Sequence, residues 1–135
     1  AAPGGDGLHI SLATRAGLVA LALAHARVGV DVEQVEPDRQ PPFAALHPCE
    51  QAMLRALPPP DRPLAFARLW SAKEAYVKAL GTGFLRPPES FLVRFADQDR
   101  FLVEDPQRPG SACGFSRTIR NGGHETMAAA FIQLI

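Results

Sequence analysis

Pro58-Pro59-Pro60 and Gly81 fence off a segment that has room for one long helix and little else. Proline lacks the amide donor and clashes with the carbonyl four residues back, so a short helix over residues 48–57 has to stop at that triplet. Asp61 is a suitable N-cap, Pro63 is tolerated in a first turn, and Gly81 supplies the left-handed residue that closes a helix. The long helix is therefore expected over residues 61–80. Its apolar positions Phe66, Leu69, Tyr76, Val77 and Leu80 form the core stripe. Trp70, Glu74 and Lys78 fall at i, i+4 and i+8 on another stripe, which leaves Glu74 off the core with a cation one turn beyond it.

Upstream, Val28-Gly29-Val30-Asp31-Val32-Glu33 alternates with the period of a strand. One face then carries Val28, Val30 and Val32, and the other carries Gly29, Asp31 and Glu33 side by side. With Glu74, three carboxylates ride on two rigid elements. That donor set suits a hard divalent cation such as Mg²⁺, which keeps several waters and takes further oxygens from a substrate phosphate. Read alone, Asp31 and Glu33 are equally the solvated face of an edge strand, and Glu74 with Lys78 an ordinary surface pair.

The remaining segments complete an α+β chain. Residues 8–12 and 18–25 read as strands joined by a turn around residues 14–17, and residues 28–35 follow closely enough to extend them into an antiparallel meander. Residues 36–42 hold three prolines and form a loop. After Gly81-Thr82-Gly83, a helix stop, and Pro87-Pro88 come strand-like runs at 90–95, 100–103 and 111–119. A last apolar, Ala-rich run at 126–134 is assigned as a strand, with a helix as the alternative. The expected architecture is an antiparallel sheet packed against one long helix. With 135 residues, 47% of them hydrophobic, the chain has enough for one core, so residues 1–135 are expected to form a single domain with a loose lead at 1–7.

Lysine plus arginine and aspartate plus glutamate number 14 each, a balance that argues against nucleic-acid binding through bulk charge. No apolar run reaches membrane-spanning length, so no membrane partner is expected. Cys49 and Cys113 read as free, buried small side chains in a reducing compartment, which points to the cytoplasm. His9, His25, His47 and His124 lack metal-ligand spacing. Trp70 reads as a packing anchor. The chain opens Ala1-Ala2-Pro3, as expected of a processed product or a piece of something longer.

Val28-Gly29-Val30-Asp31-Val32-Glu33 together with Trp70-Ser71-Ala72-Lys73-Glu74-Ala75-Tyr76-Val77-Lys78-Ala79 resembles the two signature motifs of the 4′-phosphopantetheinyl transferase superfamily, in order and at a similar separation. The Asp-Val-Glu pattern and the Trp before Ser-Ala-Lys-Glu resemble the Sfp-type enzymes, which are similar to two fused α/β halves; this chain corresponds mainly to the C-terminal half. The resemblance implies transfer of the phosphopantetheine arm of coenzyme A to a serine of an apo acyl or peptidyl carrier protein, with release of adenosine 3′,5′-bisphosphate. It also implies that Asp31, Glu33 and Glu74 hold Mg²⁺ and that Lys78, with Lys73 in a further motif position, contacts the coenzyme A phosphates. Glu50 stands where the family often has a glutamate at the start of a short helix and is the candidate base or water-orienting group.

The Ser-His pair usual before the first motif is replaced by Ile10-Ser11-Leu12-Ala13-Thr14-Arg15, where Arg15 is the candidate to supply the lost charge. A non-catalytic member that keeps coenzyme A or carrier-protein binding is the alternative expectation. A half-length chain with this much apolar content is also expected to self-associate.

Overall fold

The computed structural model describes residues 7–121 and 125–135. Most of the loose lead and His124 lie outside them. Strands β1 (His9–Arg15) and β2 (Leu18–Ala24) pair antiparallel as a separate two-stranded ribbon. The connection is tight: Ala16 and Gly17 both have positive φ, 49° and 80°, as a two-residue hairpin that follows the strand twist requires.

Strand β3 (Val28–Gln34) does not extend this ribbon into the expected meander. It forms one edge of a five-stranded antiparallel sheet with β4 (Leu92–Phe95), β5 (Arg100–Glu104), β6 (Ser111–Asn121) and β7 (Glu125–Gln133), in the order β3-β7-β6-β5-β4. The partner of β3 is thus the C-terminal strand, paired from Val28 opposite Gln133 to Gln34 opposite Met127. The reason lies in the two faces of β3, which both need cover. The ribbon lays Ala13 and Ala22 over Val28, Val30, Val32 and Met127, and it reaches the free edge of β3 through Ser11 Oγ, which accepts from Val30 N at 3.0 Å. A strand covered from above by the ribbon takes its ladder from elsewhere.

Helix α1 (Pro48–Ala56) starts at His47, whose ring accepts from Cys49 N while Glu50 reaches back to His47 N, a reciprocal cap. Helix α2 (Arg62–Leu80) closes at Gly81, which has φ 75°. Along α2, Ala72, Ala75 and Ala79 are buried against the sheet, and Gly29 of β3 makes the closest approach: a Cβ there would lie 1.8 Å from the Ala75 carbonyl oxygen. The core between helix and sheet gathers Leu54, Phe66, Leu69, Tyr76, Phe101 and Ile132. Trp70 stacks on Phe66, ring centroids 5.8 Å apart.

Two buried polar networks tie the periphery to α2. Lys73 Nζ donates to Glu50 Oε2 and to the Phe91 carbonyl, each at 2.8 Å, and the same Glu50 oxygen accepts from Val93 N. Asp105 accepts from the Tyr76 hydroxyl and, in a forked pair, from Arg86. Cys49 and Cys113 are free but exposed, contrary to the expectation of buried thiols: Cys49 lies in the first turn of α1, away from its core-facing Glu50 and Leu54, and Cys113 alternates with buried Gly114 along β6. No helix among the described residues is long and apolar enough to cross a membrane.

Candidate active site

The alternation in β3 places Gly29, Asp31 and Glu33 on the face turned toward α2, because Gly29 is the residue that meets Ala75. The helix rises beside them, so Glu74 and Lys78 come to the same flank. Lys78 Nζ donates to Asp31 Oδ1 at 3.3 Å, to the Val30 carbonyl at 3.0 Å and to the Leu12 carbonyl at 3.3 Å. One ammonium thereby ties α2, β3 and β1 together. In an antiparallel ladder alternate residues turn their backbone groups away from the partner strand, and Val30 is such a residue: its N–H goes to Ser11 and its C=O to Lys78. On the ribbon side, Arg15 Nη2 stands 3.4 Å from both Glu33 oxygens.

Too few cations face these carboxylates for comfort. Burial, contact with the Glu33 carboxylate and its negative charge push Asp31 up to about 8 against the pull of Lys78. Burial and the Glu33 charge also raise Glu74, while Lys78 and Arg15 draw it down. Asp31 Oδ2 is buried and has no hydrogen-bond donor. Two carboxylates in contact are bridged by a shared proton or by a cation, so this atom is the one that a divalent ion would satisfy. Among the described residues, no group of three or more His, Cys, Asp or Glu side chains is gathered tightly enough to form a ready-made metal cage. Mg²⁺ does not ask for one, since it is commonly held by one or two carboxylates plus water and substrate phosphate. The donor chemistry and the orphaned oxygen fit such an ion.

Lys73 and Glu50 are held apart from this cluster. Both side chains are 1% exposed and satisfy each other in the core. Burial pulls the Lys73 pKa down, and Glu50 opposes that pull. Lys73 follows Ala72 on the buried side of α2 and points about a quarter turn away from Glu74. Glu50 caps α1, its two oxygens taken by His47 N, Val93 N and Lys73. In this arrangement Lys73 and Glu50 bond each other and neighbouring backbone groups, not the carboxylates of β3. The pattern His47-Pro48-Cys49-Glu50, an acceptor three residues before a glutamate at a helix start, was a signal for the cap. Ser11 and Gly29, which carry no chemistry of their own, also shape the site: one holds the ribbon to β3 and the other lets α2 approach.

The clefts lie elsewhere. One of about 540 Å³ opens beside His47, Asp105 and Arg108, and one of about 390 Å³ beside Val30, Phe115, Arg117 and Phe131. Of the site carboxylates, Glu33 borders a small recess that it shares with Arg39, Phe66 and Trp70. An acidic cluster flanked by lysine and arginine, on an α+β frame with a strand-borne Asp-x-Glu and a helix-borne Glu-x-x-x-Lys, is what these elements bring together.

The model of the 4′-phosphopantetheinyl transferase superfamily matches residues 27–130, and the chain belongs to that family. It is 29% identical over 102 residues to a 4′-phosphopantetheinyl transferase of Bacillus subtilis, an alignment covering 73% of this chain and 45% of the relative. It is 33% identical over 88 residues to the 4′-phosphopantetheinyl transferase HetI of Nostoc sp., covering 62% of this chain and 37% of the relative. A third relative, the 4′-phosphopantetheinyl transferase gsp of Aneurinibacillus migulanus, is 29% identical over 87 residues, 64% of this chain and 37% of its own. The matched region thus spans less than half the length of each curated relative.

Proposed function

We propose that this chain carries the metal- and phosphate-binding half of a transferase that moves 4′-phosphopantetheine from coenzyme A to a serine of an apo acyl or peptidyl carrier protein. The observation that carries the reading is the convergence of Asp31, Glu33, Glu74 and Lys78 on one flank of the β3–α2 contact, in a chain of this family. In the reaction, the carrier serine oxygen forms a bond to the phosphorus that bears pantetheine, the anhydride bond to the other phosphorus breaks, and adenosine 3′,5′-bisphosphate leaves. Asp31, Glu33 and Glu74 would hold Mg²⁺, whose charge stabilises the diphosphate oxygens. Lys78, fixed by two backbone carbonyls, presents a positive charge beside them. Glu74 is half-buried beside Glu33 and belongs with the carboxylates that would hold the ion; the serine proton passes to a carboxylate or water of the site as the oxygen attacks. Residues 1–135 act here as one unit, in the cytoplasm, without nucleic acid or membrane.

We also propose a second copy of the chain as a partner. Ile10, Leu12, Val19, Leu21 and Leu23 lie on the outer face of the β1–β2 ribbon, between 54% and 64% exposed, with Ile10 opposite Leu23 and Leu12 opposite Leu21. Such an apolar ribbon face is self-complementary about a two-fold axis.

The test of the transferase reading is mass spectrometry of apo carrier proteins after incubation with the chain, coenzyme A and Mg²⁺. The carrier gains the phosphopantetheine mass, and Glu74→Gln abolishes the gain while leaving the fold intact. Absence of any gain across acyl and peptidyl carriers, with metal bound, refutes the reading and leaves a non-catalytic binding member of the family.

A further inference from the structure

The two cations at the site are held very differently. Lys78 makes three hydrogen bonds, two of them to backbone carbonyls of separate strands, and cannot leave without loosening the ribbon. Arg15 makes one long contact. Its guanidinium stands 3.4 Å from Glu33 Oε1 and from Oε2, beyond the 2.7–2.9 Å typical of a charge-assisted bond, and its side chain is 51% exposed while Glu33 is 15% exposed. The Arg15 backbone belongs to β1, which is fastened to β3 nearby through Ser11 and to Lys78 through Leu12. The guanidinium can therefore swing while its strand stays in place.

We infer that Arg15 is a displaceable stand-in for the divalent ion: it covers the Glu33 carboxylate until a divalent cation takes those oxygens, and the released guanidinium then serves as a phosphate ligand. The inference rests on the metal reading above and adds a role particular to this chain, in which an arginine on the ribbon and not a fixed site charge competes with the metal. Two features support it. Both Glu33 oxygens face Arg15, so they are the oxygens an incoming ion would have to take from it. The neighbouring Asp31 Oδ2 has no donor, so the site around Arg15 remains incompletely satisfied by protein cations. No covalent step is involved; one cation replaces another.

The experiment is a Mn²⁺ titration of the full chain followed by the electron paramagnetic resonance signal of free Mn²⁺, for wild type, Arg15→Gln and Asp31→Asn. A parallel Mg²⁺ titration follows the ¹⁵N-labelled Arg15 Nε–H resonance. Displacement of a surface ion pair predicts that Arg15→Gln binds Mn²⁺ about two- to fivefold more tightly than wild type. The Arg15 resonance is expected to shift along the same isotherm as metal uptake and to stay put when K⁺ matches the ionic strength. Wild-type and Arg15→Gln chains that bind Mn²⁺ with equal affinity, with an Arg15 resonance indifferent to Mg²⁺, overturn this inference alone. If neither chain takes up Mn²⁺, or if Asp31→Asn takes it up as well as wild type does, the metal reading falls and this inference falls with it.

Discussion

Gly29→Ala is the smallest change that should separate the two halves of the site. A methyl built on Gly29 would lie 1.8 Å from the Ala75 carbonyl oxygen and 2.8 Å from both Ala75 C and Ala79 N. Ordinary contact begins at 3.4 Å, so strand and helix must part by about 1.6 Å at this point (3.4 − 1.8). Every obstructing atom is backbone, so no rotamer change relieves the overlap. Overpacking of a core costs roughly 1–3 kcal/mol and occasionally more, and a clash with a helix backbone belongs at or above the top of that range. For a urea m-value of about 2 kcal/mol/M, a loss of about 3 kcal/mol lowers the unfolding midpoint by about 1.5 M. The same separation stretches the bonds of Lys78 to Val30 and Asp31, at 3.0 and 3.3 Å, so divalent-ion affinity should fall as well. Gly81→Ala is the control. Its added methyl meets nothing within 4 Å but must take up φ 75°, so it should cost only about 1 kcal/mol and leave metal affinity unchanged. A midpoint shift below about 0.3 M for Gly29→Ala, with m unchanged, would refute the close-approach argument.

Glu50→Gln leaves Lys73 buried without its counter-charge and is expected to lower stability by about 3 kcal/mol, the usual scale for breaking a buried pair, without changing the pH profile of transfer. A shifted profile with unaltered unfolding would restore Glu50 as the base. Although burial opposes it, hydrogen bonds from Arg86, the Tyr76 hydroxyl and Gln107 N hold the Asp105 carboxyl below its usual range. Its folded pKa lies below the unfolded value of 3.8, so its contribution is present above pH 3.8 and is lost as pH falls through the folded value. Denaturation curves from pH 6 down should therefore be steeper for wild type than for Asp105→Asn, and parallel curves would exclude Asp105 as an acid-sensitive lock. Sedimentation of the 135-residue chain at micromolar concentration should show self-association that Leu21→Lys abolishes; a monomer at all concentrations rules out the second copy.

The order of elements was open to reading from the residues because its signals are local. Pro58-Pro59-Pro60 and Gly81 bound α2, valine alternation marks β3, and the two motifs with their relative order are properties of the chain itself. The stripe Glu74–Lys78 and the face Asp31–Glu33 follow from helix and strand periods. What those periods leave open is which faces meet. Whether Gly29, Asp31 and Glu33 look toward a helix or toward water depends on the close approach of Ala75, a contact 46 residues away in the chain (75 − 29). The partner of β3 likewise turned on packing: both nearby strands and the distant β7 were suitable by composition, and burial of the valine face under the β1–β2 ribbon decided for β7. Lys73 and Glu74 show the limit most sharply. They are neighbours with equal standing in one motif, but a quarter turn of helix sends one to a buried pair with Glu50 and leaves the other beside Glu33. A charged residue in a motif can be a ligand or a core anchor, and only the surface that the helix packs against distinguishes them, because that surface sets whether the charge keeps its water or has to find a partner.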